Sequence, residues 1–196
     1  MKYFHLFLFF IVVSCSTIDN RAPNNPPKSL IRNSSFEGTW SVKKDPKGWQ
    51  ATRLFETKKF VIFNWELLEK HSGSKSVSIE IKDDHPQKRI DYNWTQTLSS
   101  ISAGEKFKIN GWIKTKRLSK SAWIIVQFWD SANIQLLELV STQQKYNISG
   151  TNDWRRVELI FDVPLNCDEV IIRAGISAPY NNGGKVWFDD IEIEKI

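Results

Sequence analysis

From Leu30 onward the chain is a succession of short β-type runs, rich in Val, Ile, Phe and Trp and separated by turn residues at intervals of about ten. The pattern predicts strands near Leu30 to Phe36, Lys59 to Trp65, Ser76 to Lys82, Tyr92 to Leu98 and Lys106 to Lys114. Four more follow near Ala122 to Asp130, Trp154 to Val163, Glu169 to Ser177 and Val186 to Glu194. Gly73, Gly104, Gly150, Pro164 and Asn181-Asn182-Gly183-Gly184 fall between them as turn formers. Helical periodicity is scarce. Many short strands without alternating helices predict an all-β, antiparallel β-sandwich of the jelly-roll kind, in one domain.

Period-two alternation assigns a side to each residue. In Phe107 to Lys114 the odd positions are apolar or glycine, which turns Lys108, Asn110, Trp112 and Lys114 outward. In Trp123 to Trp129 the positions Ile124, Val126 and Phe128 form the core side, leaving Trp123, Ile125, Gln127 and Trp129 on the other. Two indoles flanking an amide look like a ligand face. In Glu169 to Ala174, Val170, Ile172 and Ala174 point inward, and Glu169 and Arg173 point out. Nine tryptophans must be divided between core and surface, since a wide flat ring with one polar edge suits either. Trp49, Trp154 and Trp187 sit among apolar neighbours or at strand starts and read as packing. Trp112, Trp123 and Trp129 are ligand candidates, with burial the alternative for each.

The last predicted strand is interrupted by Asp189-Asp190. A carboxylate inside a sheet needs a cation, a metal or an edge position. Alternation points one aspartate with Trp187 and Ile191 and the other with Phe188 and Glu192.

The N-terminus bears on location. Met1-Lys2, an apolar run from Tyr3 to Val13 and then Ser14-Cys15 have the charge, length and small-residue ending of an export signal, and are too short to span a bilayer. Val12-Val13-Ser14-Cys15 resembles a bacterial lipobox. That resemblance implies removal of residues 1–14, diacylation of Cys15 and residence at the outer membrane or cell surface, with an ordinary secretory signal as the alternative. Polar, proline-rich residues 15–29 then read as the lipidated cysteine and a tether. Residues 30–196, roughly 170 in number, are the size of one domain. Cys167 is the other cysteine, so an intramolecular disulfide is not expected once Cys15 is lipidated. The net charge of +5 comes from Lys and Arg interspersed with Asp and Glu, a solvated surface rather than a nucleic-acid stripe.

A family resemblance rests on motifs in order along the chain. They are Asn33-Ser34-Ser35-Phe36-Glu37, Trp49, Gly73-Ser74-Lys75-Ser76-Val77, Trp94-Thr95-Gln96, Gly104 to Lys114, Gly150 to Trp154, Val163-Pro164 and Gly184 to Ile191. Together they resemble carbohydrate-binding modules of the family 4, 9 and 22 group, over essentially all of Leu30 to Ile196. The resemblance implies a galactose-binding-like jelly roll. It also implies a structural calcium where the chain ends meet, held by Glu37 and Asp189 with Asp190 the lesser ligand; the alternative is pairing of these acids with Lys or Arg. Binding positions vary among such modules, so the ligand candidates Trp112, Trp123, Gln127, Trp129 and Arg173 rest on alternation alone.

Three functions compete on these grounds. The first is a non-catalytic, membrane-anchored lipoprotein binding a glycan at the envelope or surface. The second puts the same scaffold to use as an adhesin or in contact with an envelope protein. The third is a small glycan hydrolase or lyase, which needs two carboxylates about 5 to 10 Å apart in a cleft. Glu66, Glu69, Glu80, Asp130, Glu138 and Asp162 are scattered singly, so no catalytic residue is assigned.

Overall fold

Two five-stranded antiparallel sheets face each other in a computed structural model that describes residues 29–39, 45–98 and 101–196. The strands are β1 (Gln50–Ala51), β2 (Val61–Glu66), β3 (Ser76–Ile81), β4 (Ile90–Leu98) and β5 (Lys106–Leu118), then β6 (Trp123–Asp130), β7 (Gln135–Ser141), β8 (Gly150–Asp162), β9 (Glu169–Ala178) and β10 (Lys185–Lys195). The front sheet has the order β1-β4-β9-β6-β7, and the back sheet β2-β3-β10-β5-β8. Sequence neighbours lie in different sheets at several steps, which is the crossing pattern of a jelly roll. Cys15 and the signal and tether expectations lie outside the described residues.

The alternation read from sequence is the alternation that packs the core. Phe107, Ile109 and Ile113 of β5, Ile124, Val126 and Phe128 of β6, and Val170, Ile172 and Ala174 of β9 are all buried. Because every strand turns one face inward, the two sheets share one apolar layer. Aromatic rings bridge it: Phe63 of β2 meets Trp94 of β4 edge-on at 5.4 Å between centroids. Trp94 also donates its indole N–H to the Ser78 carbonyl of β3, so a wholly buried polar atom is satisfied across the sandwich.

Three details depart from the sequence reading. Leu30 to Phe36 is not a strand. Asn33 and Phe36 have φ of 54° and 59°, and the Asn33 side-chain amide donates to the carbonyls of Gly38 and Lys47 and accepts from Gly38 N–H. An amide that serves three backbone partners in this way stabilises a turn instead. The second departure is β7, whose residues lack alternation because it is an edge strand lying mostly open to solvent. The third is in β10, where the register slips between Asp189 and Glu192 and Asp190 takes φ 46°. A bulge inserts one residue and defeats period two. Both aspartates therefore meet the same loop, and the expectation that alternation separates them does not hold.

Candidate functional site

The bulge builds a latch. Asp189 is fully buried, and its Oδ2 accepts from the backbone N–H groups of His71 at 2.8 Å and Ser72 at 3.1 Å, while Oδ1 accepts from Asp190 N–H. Asp190 accepts from His71 Nδ1 at 2.7 Å and from the Ser72 hydroxyl at 2.8 Å. Glu37, from the start of the domain, takes the next donors of the same loop: Ser74 N–H and hydroxyl and Lys75 N–H. The domain's start and its last strand are thus fastened through residues 71–75. Gly73 permits the approach, having φ 58° in a position where a Cβ would collide with the Glu37 carboxylate.

Burial pushes the Asp189 carboxyl up to about 6; the Ser72 and His71 amides pull it down, and the neighbouring Asp190 charge raises it further. For Glu37 burial also pushes upward, but the Ser74 and Lys75 hydrogen bonds outweigh it and hold the group below the usual carboxylate range. These acids do not fit a calcium site in this arrangement. Calcium needs six to eight oxygens aimed at one point, whereas these oxygens are aimed at N–H and O–H donors. Among the described residues no group of three or more His, Cys, Asp and Glu side chains converges as a metal cluster.

Trp112 belongs to the latch. Its ring stacks on His71 at 3.7 Å between centroids and 17° between planes, and Trp154 meets His71 edge-on at 5.9 Å. It stands on β5 of the back sheet, apart from the other four ligand candidates, and is half-buried. Of the tryptophans read as packing, Trp49 and Trp187 are buried and Trp154 is half-buried.

Trp123, Gln127, Trp129 and Arg173 share the outer face of the front sheet. The register places Ile125 beside Arg173, Gln127 beside Ile171 and Trp129 beside Glu169, with Arg173 next to Thr95 of β4. Arg173 lies between two side-chain amides: its Nε donates to Gln127 Oε1 at 2.8 Å and its Nη1 to Asn93 Oδ1 at 3.1 Å. Asn93 Oδ1 also accepts from the Thr52 hydroxyl. Burial lowers Arg173 from its ordinary value, and among the described residues no carboxylate is paired with it. A half-buried cation held only by neutral acceptors keeps its attraction for a further oxygen.

The two front-face tryptophans differ from the expectation of open platforms. Trp123 is only 3% exposed. Its ring crosses β9 at Gly175, where a Cβ would come within 2.8 Å of Trp123 Cη2. Gly175 therefore leaves room for the indole against β9. Trp129, at the other end of β6, is half-buried with an indole N–H that has no partner among the described residues. Asn93 was missed as a site residue, although alternation along β4 puts it on the face opposite the buried Tyr92 and Trp94. A lone Gly175 inside an apolar strand was the sequence signal for a ring crossing the backbone.

Among the described residues, Glu69 lines a cleft with Asp153, and Lys114 lies between the two carboxylates. Glu66 and Glu80 approach each other only through Lys185, at 2.7 and 3.7 Å. Burial raises Glu66, but hydrogen bonds from Lys185 and Ser78 prevail and hold it below its usual range, the reverse of what a proton donor requires.

These features define a class: an all-β sandwich with the jelly-roll fold of carbohydrate-binding modules, whose outer front face carries a polar, aromatic-floored surface. The particular likenesses are to three solved structures. The CBM22-1 xylan-binding domain of Paenibacillus barcinonensis Xyn10C superposes with a TM-score of 0.58 at 14% identity, covering 87% of this chain and 96% of that one. TmCBM61, solved with β-1,4-galactotriose, gives 0.53 at 16% identity, covering 86% and 99%. The enzymatically active domain of bacteriophage CBA120 tailspike protein 4 gives 0.61 at 16% identity, covering 86% of this chain but only 21% of that one. No family model matches the chain. A curated relative, the uncharacterized HTH-type transcriptional regulator YbfP of Bacillus subtilis strain 168, is 28% identical over 95 residues, 47% of this chain. The chain spans 30% of that protein's length.

Proposed function

We propose that the outer face of the front sheet binds a glycan, and that the protein does so without catalysis, as a lipoprotein anchored through Cys15 at the bacterial envelope or surface. One observation carries the binding reading: Arg173, half-buried and without an acid partner among the described residues, is held between the amides of Gln127 and Asn93 in the middle of that face. Hydroxyl-rich ligands need donors and acceptors at fixed spacing; half-buried Arg173 and Gln127 supply both, and the buried Asn93 holds the guanidinium in place. Trp123 and Trp129, six residues apart on β6, extend the face to about 20 Å, which suits an oligosaccharide better than a single sugar. Trp123, only 3% exposed, supports the face from below, and half-buried Trp129 offers the aromatic contact. The likeness to domains described as binding xylan or galactotriose supports the ligand class and leaves the individual sugar open.

A glycan array probed with the full chain tests this reading. Binding that is lost in Arg173→Ala and kept in Trp112→Ala is expected; binding to no glycan overturns it. Anchoring is tested separately, by incorporation of labelled fatty acid into the wild type and its loss in Cys15→Ser.

A further inference from the structure

The back sheet ends in a cleft that neither the latch nor the front face uses. It has a volume of about 490 Å³, with walls from Lys116 and Arg117 of β5, Thr151 and Asp153 of β8, Trp187 of β10 and Glu69, and with Lys114 between the two acids. Trp187 stands on the outer side of the sheet, between Ser78 and Lys114 in the register. It is 7% exposed, and its indole N–H is buried with no acceptor among the described residues. Such a donor is rare in a folded protein and takes its oxygen from water or from a ligand.

The charges around it are unevenly used. Lys114 is neutralised by Glu69 at 2.9 Å and Asp153 at 3.3 Å. Arg117 has only a neutral partner, its Nη2 donating to the Gly183 carbonyl at 2.6 Å. Lys116 is exposed and has no carboxylate partner among the described residues. Thr151 Oγ1 accepts from Arg117 N–H at 3.0 Å, which leaves its own proton to donate. With Glu69 and Asp153 both engaged by Lys114, the groups left over are the indole N–H, Lys116, Arg117 and the Thr151 hydroxyl, all donors or cations. A complementary ligand must bring acceptors and negative charge, together with ring carbons to lie along the indole edge and lysine stems.

We infer that this cleft is a second binding site, separate from the front face, for an acidic oligosaccharide whose carboxylate or sulfate sits between Lys116 and Arg117. The inference rests on the glycan-binding reading, and extends it to a ligand class that the front face does not select.

Isothermal titration of the full chain with tetragalacturonate, tetramannuronate and a chondroitin sulfate tetrasaccharide tests it, with a neutral galactotetraose and sodium sulfate as controls. At least one acidic tetrasaccharide binds the wild type, more weakly as salt rises. Lys116→Gln lowers that affinity at least about tenfold, as expected for loss of a charge-assisted hydrogen bond. Trp187→Phe, which keeps one six-membered aromatic ring and deletes the pyrrole N–H, lowers it about fivefold or more. Arg173→Ala leaves it unchanged. Acidic binding abolished by Arg173→Ala and untouched by Lys116→Gln overturns the second site while preserving the front one. Binding lost in Lys116→Gln, with no ligand affected by Arg173→Ala, preserves the cleft and overturns the front-face reading. Failure of all three acidic probes, or binding of sulfate with equal affinity, overturns the inference.

Discussion

The two outer faces handle charge in opposite ways. On the back sheet, acids and bases neutralise one another: Lys185 with Glu66 and Glu80, Lys114 with Glu69 and Asp153, Lys108 with Glu194. On the front sheet, among the described residues, no ion pair joins two strands, and the central cation rests on amides. A face whose charges are already paired has little left to offer a ligand, and a face that holds an unpaired cation in place is prepared for one. The exception on the back sheet is its end, where Lys116 has no carboxylate partner and the Trp187 N–H no acceptor among the described residues. The latch under Trp112 shows the other use of the back sheet, as a fastening for the chain.

The largest test of that division lies in the latch. Asp189→Ala strips acceptors from three backbone N–H groups at a buried position and is expected to cost about 3 kcal/mol in chemical denaturation. Glycan affinity should be unaffected while the domain stays folded. A loss of binding larger than the loss of folded protein would join the two faces functionally.

Next in size is a pH effect. Asp189 is raised from 3.8 to about 6 in the folded state. Between those values the folded state binds more protons than the unfolded one, so this group's contribution to stability falls as pH rises from about 4 to about 6. Two units correspond to at most roughly 3 kcal/mol. The stability of the wild type relative to Asp189→Asn should decline across that window; a flat difference would show that the loop amides fully compensate burial. Glu66, held low, acts in the opposite sense and is common to both proteins.

On the front face, Arg173→Ala should weaken glycan binding about tenfold or more, about 1.4 kcal/mol. Its effect on stability should be small, since half-buried Gln127 can turn to water and the buried Asn93 Oδ1 keeps its hydrogen bond from the Thr52 hydroxyl. The smallest effect concerns metal. Adding calcium or a chelator is expected to leave the melting temperature unchanged, because the latch acids already hold N–H and O–H donors. A calcium-dependent rise would show that the loop opens to let an ion replace them.

Much of the sandwich was legible because its strands obey period two wherever one side is buried. Eight of the predicted runs correspond to strands β2 to β6 and β8 to β10, within a few residues at their ends. The failures have local causes. The edge strand β7 faces water along most of its length and shows no alternation. Asn33 captures Leu30 to Phe36 as a turn through long-range hydrogen bonds that composition does not reveal. The bulge at Asp190 is a single-residue event, and it brought two carboxylates together that alternation had separated. In the site, outwardness was readable for Gln127 and Arg173. Which strands shared a sheet was not, and that is why Trp112 was grouped with residues of the opposite face.

The most direct test of the central claim is titration of the best array ligand into three proteins: wild type, Arg173→Ala and Trp112→Ala. The account predicts that Arg173→Ala loses affinity about tenfold or more while Trp112→Ala keeps wild-type affinity. Loss of affinity in Trp112→Ala with Arg173→Ala unaffected would place binding on the back sheet and contradict the account.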